Sequence, residues 1–333
     1  MTFDILTRAF WAARFPGLGL AGCVALSAQF LSDHYGAPAM LMAILLGIAL
    51  NAFSEEGRAV EGVDFAARAV LRMGVALLGL RISLEMFLDL GPGALALIGA
   101  GVAATIGFGL LAARVLGQGM AFGFLTGGAV AICGASAAMA IAAVLPRGER
   151  AERDLVFTVV GVTVLSTLAM IVYPILAARL GLDARATGLF LGATIHDVAQ
   201  VVGAGFSVSD PVGEQSTLVK LIRVTALAPV VLVAALVLRA RGGAEGARPQ
   251  LLPGFVVAFL ALAAVNSTGM VPAAVTEFAA GLSRWALLTA IAAVGMKTSV
   301  PRLMQVGGPA LGLLGAETAF LAALVLGGIA VLA

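Results

Sequence analysis

His196, Asp197 and Gln200 fall within five positions of one another, inside the apolar run Gly188–Phe206. Ionisable side chains in such a run are costly in lipid, so they face a cavity, a bound species or each other. On a helix His196 and Gln200 share one face and Asp197 projects about 100° away. Imidazole titrates near neutral pH and suits proton transfer. A carboxylate beside an amide suits a proton or Na+. A polar clasp between helices is the structural alternative. A second stretch, Gly127–Ala143, holds Cys133-Gly134-Ala135-Ser136 at its middle. Glycine in a helix interior costs about 1 kcal/mol relative to alanine, so the helix is expected to loosen there. Backbone N–H groups around Gly134, Ala135 and Ser136 would then form a half-helix N-terminus suited to an anion. Close packing on small residues is the alternative.

Basic residues complete the candidates. Arg81 is followed by Ser83, and Lys297 by Ser299; Lys220 and Arg223 open a later span. Arginine or lysine with a hydroxyl suits an oxyanion, while snorkelling to the interface explains any one of them equally simply. Glu317 is an isolated carboxylate in the last apolar run, read either as a coupling group or as the neutraliser of an arginine. The substrate-binding candidates are therefore Gly134, Ala135, Ser136, Arg81, Ser83, Lys297, Ser299, Lys220 and Arg223. The ion-coupling candidates are His196, Asp197, Gln200 and Glu317. No nucleophile–base pair, phosphate loop or metal-ligand cluster accompanies them, so an enzyme is not expected, nor a cofactor or metal. G-x-G patterns carry no signal in a chain with 42 glycines. Two cysteines, Cys23 and Cys133, both in apolar runs, make neither a disulfide framework nor a metal site.

The elements that must position these groups are membrane helices. Hydrophobic residues make up 61% of the 333 and charged residues 11%, which excludes an ordinary soluble domain. A net charge of +2 without a basic tract excludes nucleic acid as a partner. The fold class is all-α, a polytopic membrane protein forming a single transporter domain over 1–333. About eleven apolar runs are candidate spans: 17–33, 38–53, 66–84, 92–113, 119–145, 155–178, 187–206, 216–238, 251–267, 284–300 and 307–332. Phe53–Arg68, mixing charge and apolar residues, reads as an interfacial segment. With the N-terminus cytoplasmic and the C-terminus periplasmic, most loop Lys and Arg fall inside. Pro146–Asp154, with Arg147, Arg150 and Arg153, breaks that pattern if every run crosses. Full crossings are the expectation; runs 119–145 and 187–206 entering and returning from one side would bring that loop inside.

An internal repeat is visible. Gly79-Leu80-Arg81-Ile82-Ser83 aligns with Gly295-Met296-Lys297-Thr298-Ser299 at an offset of 216; Arg68 meets Arg284, Gly91 meets Gly307, and with one gap Asn51 meets Asn266. An odd number of crossings separates the copies under either topology, so the repeat is inverted, a design tied to alternating access. Asn51 and Asn266 are expected to cap or bridge helices across it.

ICGASA (132–137), IHDVAQV (195–201), LLGLRISL (77–84), KLIRV (220–224) and AVGMKTS (293–299) occur in one chain. The set resembles the YeiH-like sulfate exporter family of bacterial membrane proteins, from about residue 38 to the C-terminus. Two positions depart from that pattern: glutamate is expected where Asp197 stands, and GLR where Gly295-Met296-Lys297 stands. The resemblance implies a bacterial cytoplasmic-membrane protein, distantly like the bile-acid-symporter-like transporters. It implies inverted repeats and a core holding two broken helices that cross, here 119–145 and 187–206, with scaffold helices elsewhere. The function expected is secondary active transport of a small anion (sulfate, or a related oxyanion or sulfonate) coupled to H+ or Na+. The alternatives are a passive anion channel and a sensor or accessory protein without transport. Expected partners are the anion, the coupling ion and the bilayer; a homodimer is compatible with the reading.

Overall fold

The computed structural model describes residues 8–146, 150–240, 253–298 and 308–332. Among these, every one of the eleven apolar runs is helical and no strand occurs. The helices are α1 (Arg8–Tyr35), α2 (Ala39–Ala49), α3 (Ala52–Glu55), α4 (Val60–Phe65), α5 (Leu71–Leu78), α6 (Leu84–Val115), α7 (Met120–Ala131), α8 (Ala135–Ala142), α9 (Ala151–Arg179), α10 (Ala184–Thr194), α11 (Val198–Val208), α12 (Asp210–Thr225), α13 (Leu227–Ala240), α14 (Gly254–Ser267), α15 (Ala273–Met296) and α16 (Gly308–Leu332). Six helical stretches are long and apolar enough to cross a membrane: α1, α6, α9, Asp210–Leu238, α15 and Leu311–Leu332. The chain is a polytopic helical membrane protein. α4 and α5 are joined by one π-helical turn, Ala66–Val70, and Val63 and Ala66 there are fully buried. The interfacial reading of Phe53–Arg68 therefore holds only for its exposed first half, since from Val60 the chain is already packed span.

The chain forms two compact units. The first comprises Met1–Met86, Val202–Glu214 and Phe255–Arg302, the second Phe87–Val201, Gln215–Gly254 and Leu303–Ala333, each over its described residues.

The first unit contains the sequence repeat as a reciprocal contact. A Cβ on Gly295 would run into the carbonyl oxygen of Ile44, and a Cβ on Gly79 into that of Phe259. Gly79 and Gly295 are repeat mates, and so, one residue off, are Ile44 and Phe259. Backbones approach this closely only where side chains are missing. The asparagines obey the same two-fold relation. Asn51 Nδ2 donates to Met296 O at 2.6 Å, and Asn266 Nδ2 donates to Ile82 O at 3.2 Å. Each copy thus caps the end of a span in the other, satisfying carbonyls a helix terminus leaves open.

The second unit holds the whole run 119–145 and, of the run 187–206, the residues up to Val201 with the break itself. Within it α6 and α16 pack antiparallel, with Gly93 against Leu332 and Gly109 against Glu317. The run 119–145 does not cross. A Cβ on Gly128 of α7 would strike Ile141 Cδ1 of α8. Were α7 and α8 collinear, these residues would be separated by about 1.5 Å of rise for each of 13 positions, near 20 Å. The start of α7 and the end of α8 also line one cavity, through Phe122, Leu125, Ala142 and Leu145. The segment is a re-entrant hairpin, and the expectation of a full crossing is corrected. Its chemical cause is Gly134, with φ of 63°, a conformation glycine adopts without a Cβ penalty.

The run 187–206 breaks as well, between α10 and α11. Gly188 packs on Gln215, and Gly192 on Ser216 and Val219, so α10 and α12 run side by side in one direction. The hairpin and the broken run enter from opposite ends of α6. α7 starts where Gly123 meets Gly109 near the C-terminal end of α6. α10 starts where Arg185 donates to Asp89 O and, at 3.5 Å, to Leu90 O near the other end. Their breaks meet: a Cβ on Gly134 would lie 3.6 Å from His196 Cβ. α9 starts beside the open end of the hairpin, which places Arg150 and Arg153 at the same end as Arg114 and moves Arg179 and Arg185 to the other.

In a background lacking Cys23 and Cys133, cysteines placed at Gln118 and Arg150 are expected to react with an impermeant thiol reagent from the same side of the membrane. Labelling from opposite sides would contradict the hairpin. Gly295→Ala is expected to destabilise the protein by about 1–3 kcal/mol, read as a lowered midpoint of thermal unfolding in detergent.

Candidate functional site

Both breaks are held by α12. Ile132 (φ −111°, ψ −83°) and Ile195 (φ −64°, ψ 137°) leave helical geometry, so the last carbonyls of α7 and α10 have no intrahelical partners. Arg223 takes them. Its Nε donates to Ala131 O at 3.0 Å, Nη1 to Gly192 O at 3.0 Å and Ile195 O at 3.1 Å, and Nη2 to Val130 O at 3.0 Å and Ala131 O at 2.7 Å. Those five bonds use every donor a guanidinium has. Lys220, one turn earlier, donates to Ile132 O at 2.6 Å and Ile195 O at 3.0 Å; its third N–H has no partner among the described residues. Lys220 is 0% and Arg223 1% exposed. Neither snorkels. Both cations are compensated by helix C-termini, each equivalent to about half a negative charge.

The second halves of the interrupted runs begin at the same place. Ala138 N bonds Gly134 O at 3.0 Å as the first turn of α8, so the N–H groups of Ala135, Ser136 and Ala137 precede the helical ladder. Ser136 is exposed and Ala135 half-exposed. Asp197 starts α11: its Oδ1 accepts from Ala199 N at 2.8 Å, and its own N–H donates to Ser166 Oγ at 3.0 Å. An aspartate at this position is a strong N-cap, which explains why the run breaks here. The residue is half-buried. Gln200 Nε2 donates to Thr167 Oγ1 at 3.0 Å, leaving buried Oε1 unpartnered. His196 is 0% exposed, with Nε2 3.0 Å from Thr318 Oγ1. The Thr318 hydroxyl donates to Leu314 O at 2.8 Å, so Nε2 carries the proton in this bond.

The structure thus brings Gly134, Ala135, Ser136, His196, Asp197, Gln200, Lys220 and Arg223 to one place. Glu317 lies lower on α16 in the same unit. Its bond to Thr126 Oγ1 is 2.8 Å, and no arginine pairs with it among the described residues. Arg81 and Lys297 belong to the first unit, and each already has a carboxylate. Arg81 pairs with Asp210 at 3.3 Å and with Glu214, and Lys297 pairs with Asp64. Arg81 also lines a cavity of about 300 Å³ with Arg284, Asp210 and Phe206. Ser83 Oγ accepts from Met86 N at 3.2 Å, a helix-cap role. Ser299 lies outside the described residues. Ser166, Thr167, Thr126 and Thr318 were missed from the sequence. A hydroxyl in a hydrophobic helix ordinarily bonds back one turn, and only tertiary contact reveals another partner.

The family described as conserved hypothetical protein 698 matches residues 16–314. The chain belongs to this family. Its relatives include the UPF0324 membrane protein TauZ of Paracoccus denitrificans, 63% identical over 98% of both chains. The UPF0324 membrane protein RB0971 of Rhizobium meliloti is 62% identical over 94% of this chain and 92% of its own. A UPF0324 membrane protein of Chlorobaculum tepidum, CT0845, is 52% identical over 95% and 89%. No solved structure matches the chain. Membership accords with the resemblance carried by ICGASA and IHDVAQV, and the relatives, like this chain, are membrane proteins.

Removing Arg223 takes the side-chain donor from the carbonyls of Val130, Ala131 and Gly192, while Lys220 still holds Ile195 O. Arg223→Met is expected to cost about 3–5 kcal/mol and Arg223→Lys somewhat less, because an ammonium cannot span both breaks. Thermal unfolding of the purified variants measures both; an unchanged midpoint in Arg223→Met would contradict the bonding described.

Proposed function

We propose that the chain is a secondary active transporter of a small anion, sulfate or a related oxyanion or sulfonate, coupled to H+ or Na+. One observation carries the reading: two interrupted helices enter one unit from opposite ends and their breaks meet at a polar tip supported by buried Lys220 and Arg223. Interrupted helices at membrane depth occur where they line a site. Two cations against two helix C-termini leave about one positive charge in surplus. Asp197 is the carboxylate placed to cancel it. Protonating Asp197, or pairing it with Na+, restores the surplus, and an anion then binds at the N–H groups of Ala135 and Ser136. Ion and anion are thereby bound together, which is what coupling requires.

Arg81 and Lys297, already paired with carboxylates, are assigned to the scaffold rather than to the anion. The protein is placed in the bacterial cytoplasmic membrane with its N-terminus inside and C-terminus outside. The loop containing Arg150 and Arg153 then joins the cytoplasmic positive charge. The activity is transport, not catalysis, and a homodimer is compatible with it.

Purified protein in liposomes is expected to take up labelled sulfate or a short sulfonate in a saturable manner that depends on a pH or Na+ gradient, and to show counterflow. Asp197→Asn is expected to abolish the ion dependence and His196→Ala to reduce uptake. Unchanged coupled uptake in both variants would sink the assignment, and ohmic current without counterflow would make the protein a channel.

A further inference from the structure

Glu317 is fully buried, and nothing in the tip mechanism uses it. Its Oε1 lies 2.8 Å from Thr126 Oγ1 and its Oε2 has no hydrogen-bond partner. The Thr126 hydroxyl is also within bonding distance of Phe122 O at 3.1 Å and Gly123 O at 3.4 Å. A hydroxyl has one proton to donate. When Thr126 gives it to α7's own carbonyl, the bond to Glu317 needs a proton from the carboxyl. The surrounding crevice is made of glycine. A Cβ on Gly109 would lie 2.5 Å from Glu317 Oε1 and 2.7 Å from Gly123 O. That leaves no room for a hydrated cation. A proton is the ligand of the right size. Around it, α6 presents Gly109 and Thr105, whose buried hydroxyl also lacks a partner. α7 presents Thr126, and α9 packs Gly161 on Leu314. The titratable side chain held by the same turn of α16 is His196, through Thr318. A cavity of about 370 Å³ at the open end of the hairpin is lined by Phe122, Leu125, Arg150 and Asp154. Leu125, in the wall of that cavity, is the chain neighbour of Thr126.

We propose that Glu317 is a proton-binding site, distinct from Asp197, whose protonated form clamps the α7–α8 hairpin against α6 and α16. Losing the proton leaves an uncompensated carboxylate in a crevice between backbones, and water entering from the cavity to solvate it loosens the hairpin. The link from clamp to transport rests on the transporter reading above; the proton site itself does not.

Infrared spectra of the purified protein across pH test the site directly. A protonated-carboxyl C=O band is expected that disappears in Glu317→Gln, persists in Asp197→Asn and shifts in Thr126→Val. If Glu317→Gln leaves the band unchanged, or Thr126→Val leaves it unshifted, the proposal is overturned. Thermal unfolding gives a second readout: the wild-type midpoint is expected to move with pH by several degrees, and that of Glu317→Gln to stay constant. In liposomes Glu317→Gln is expected to keep the coupling that Asp197 provides but to change the pH profile of uptake. A wild-type pH profile in that variant overturns the clamp while leaving the transporter reading intact. A Glu317-dependent band in a protein that moves no anion would uphold the proton site and sink the transporter reading instead.

Discussion

Two chain breaks at membrane depth must find partners for the carbonyls they free, and one guanidinium supplies most of them. Water is absent from the bilayer core, so an open carbonyl there costs several kcal/mol. Arg223 binds Val130, Ala131, Gly192 and Ile195 at once, which joins two breaks that are far apart in sequence. Lys220 adds Ile132 and a second bond to Ile195. Everything at the tips follows from this clasp: the N-terminus of α8 opens beside His196, Asp197 caps α11, and the polar groups converge there. The clasp also explains why cations, and not neutral donors, occupy α12. Only a charge offsets the combined dipoles of two helix C-termini.

The two units handle basic residues in different ways. Arg81 and Lys297, the repeat mates, are each neutralised by carboxylates and end their spans as ordinary interfacial ion pairs, which contribute little to stability. Lys220 and Arg223 have carbonyls alone. The first arrangement tolerates water and the second excludes it, so the fully buried cations lie in the second unit although the repeat is clearest in the first.

Much of this was legible in the sequence. Composition and run lengths identify the polytopic helical class, and over the described residues all eleven runs are helical, two of them interrupted. The repeat was readable because glycine, asparagine and basic residues recur at one offset, and the structure turns those same residues into mutual packing and caps. The breaks were visible as Gly134 and as His196-Asp197. Their direction was not, because a composition of small apolar residues is the same whether a segment passes through or turns back. The excess of arginine in 146–154 was the one available sign, and it pointed to the hairpin. The role of Lys220 and Arg223 was also hidden: nothing local distinguishes a snorkelling cation from one that reaches carbonyls about 90 positions away.

The close glycine contacts fall into two kinds that differ in how the sequence can drift. Gly128 and Gly161 abut side chains, Ile141 and Leu314. A larger residue at either position leaves a defect that trimming the opposite side chain can repair. Gly79 and Gly295 abut carbonyl oxygens of the facing backbone, and no substitution elsewhere shortens a peptide bond. Selection for second-site suppressors should therefore recover revertants readily for Gly128 and Gly161, while Gly79 and Gly295 can be restored only by true reversion. Contacts of the first kind can be re-tailored, and the backbone contacts of the two-fold seam are genetically frozen.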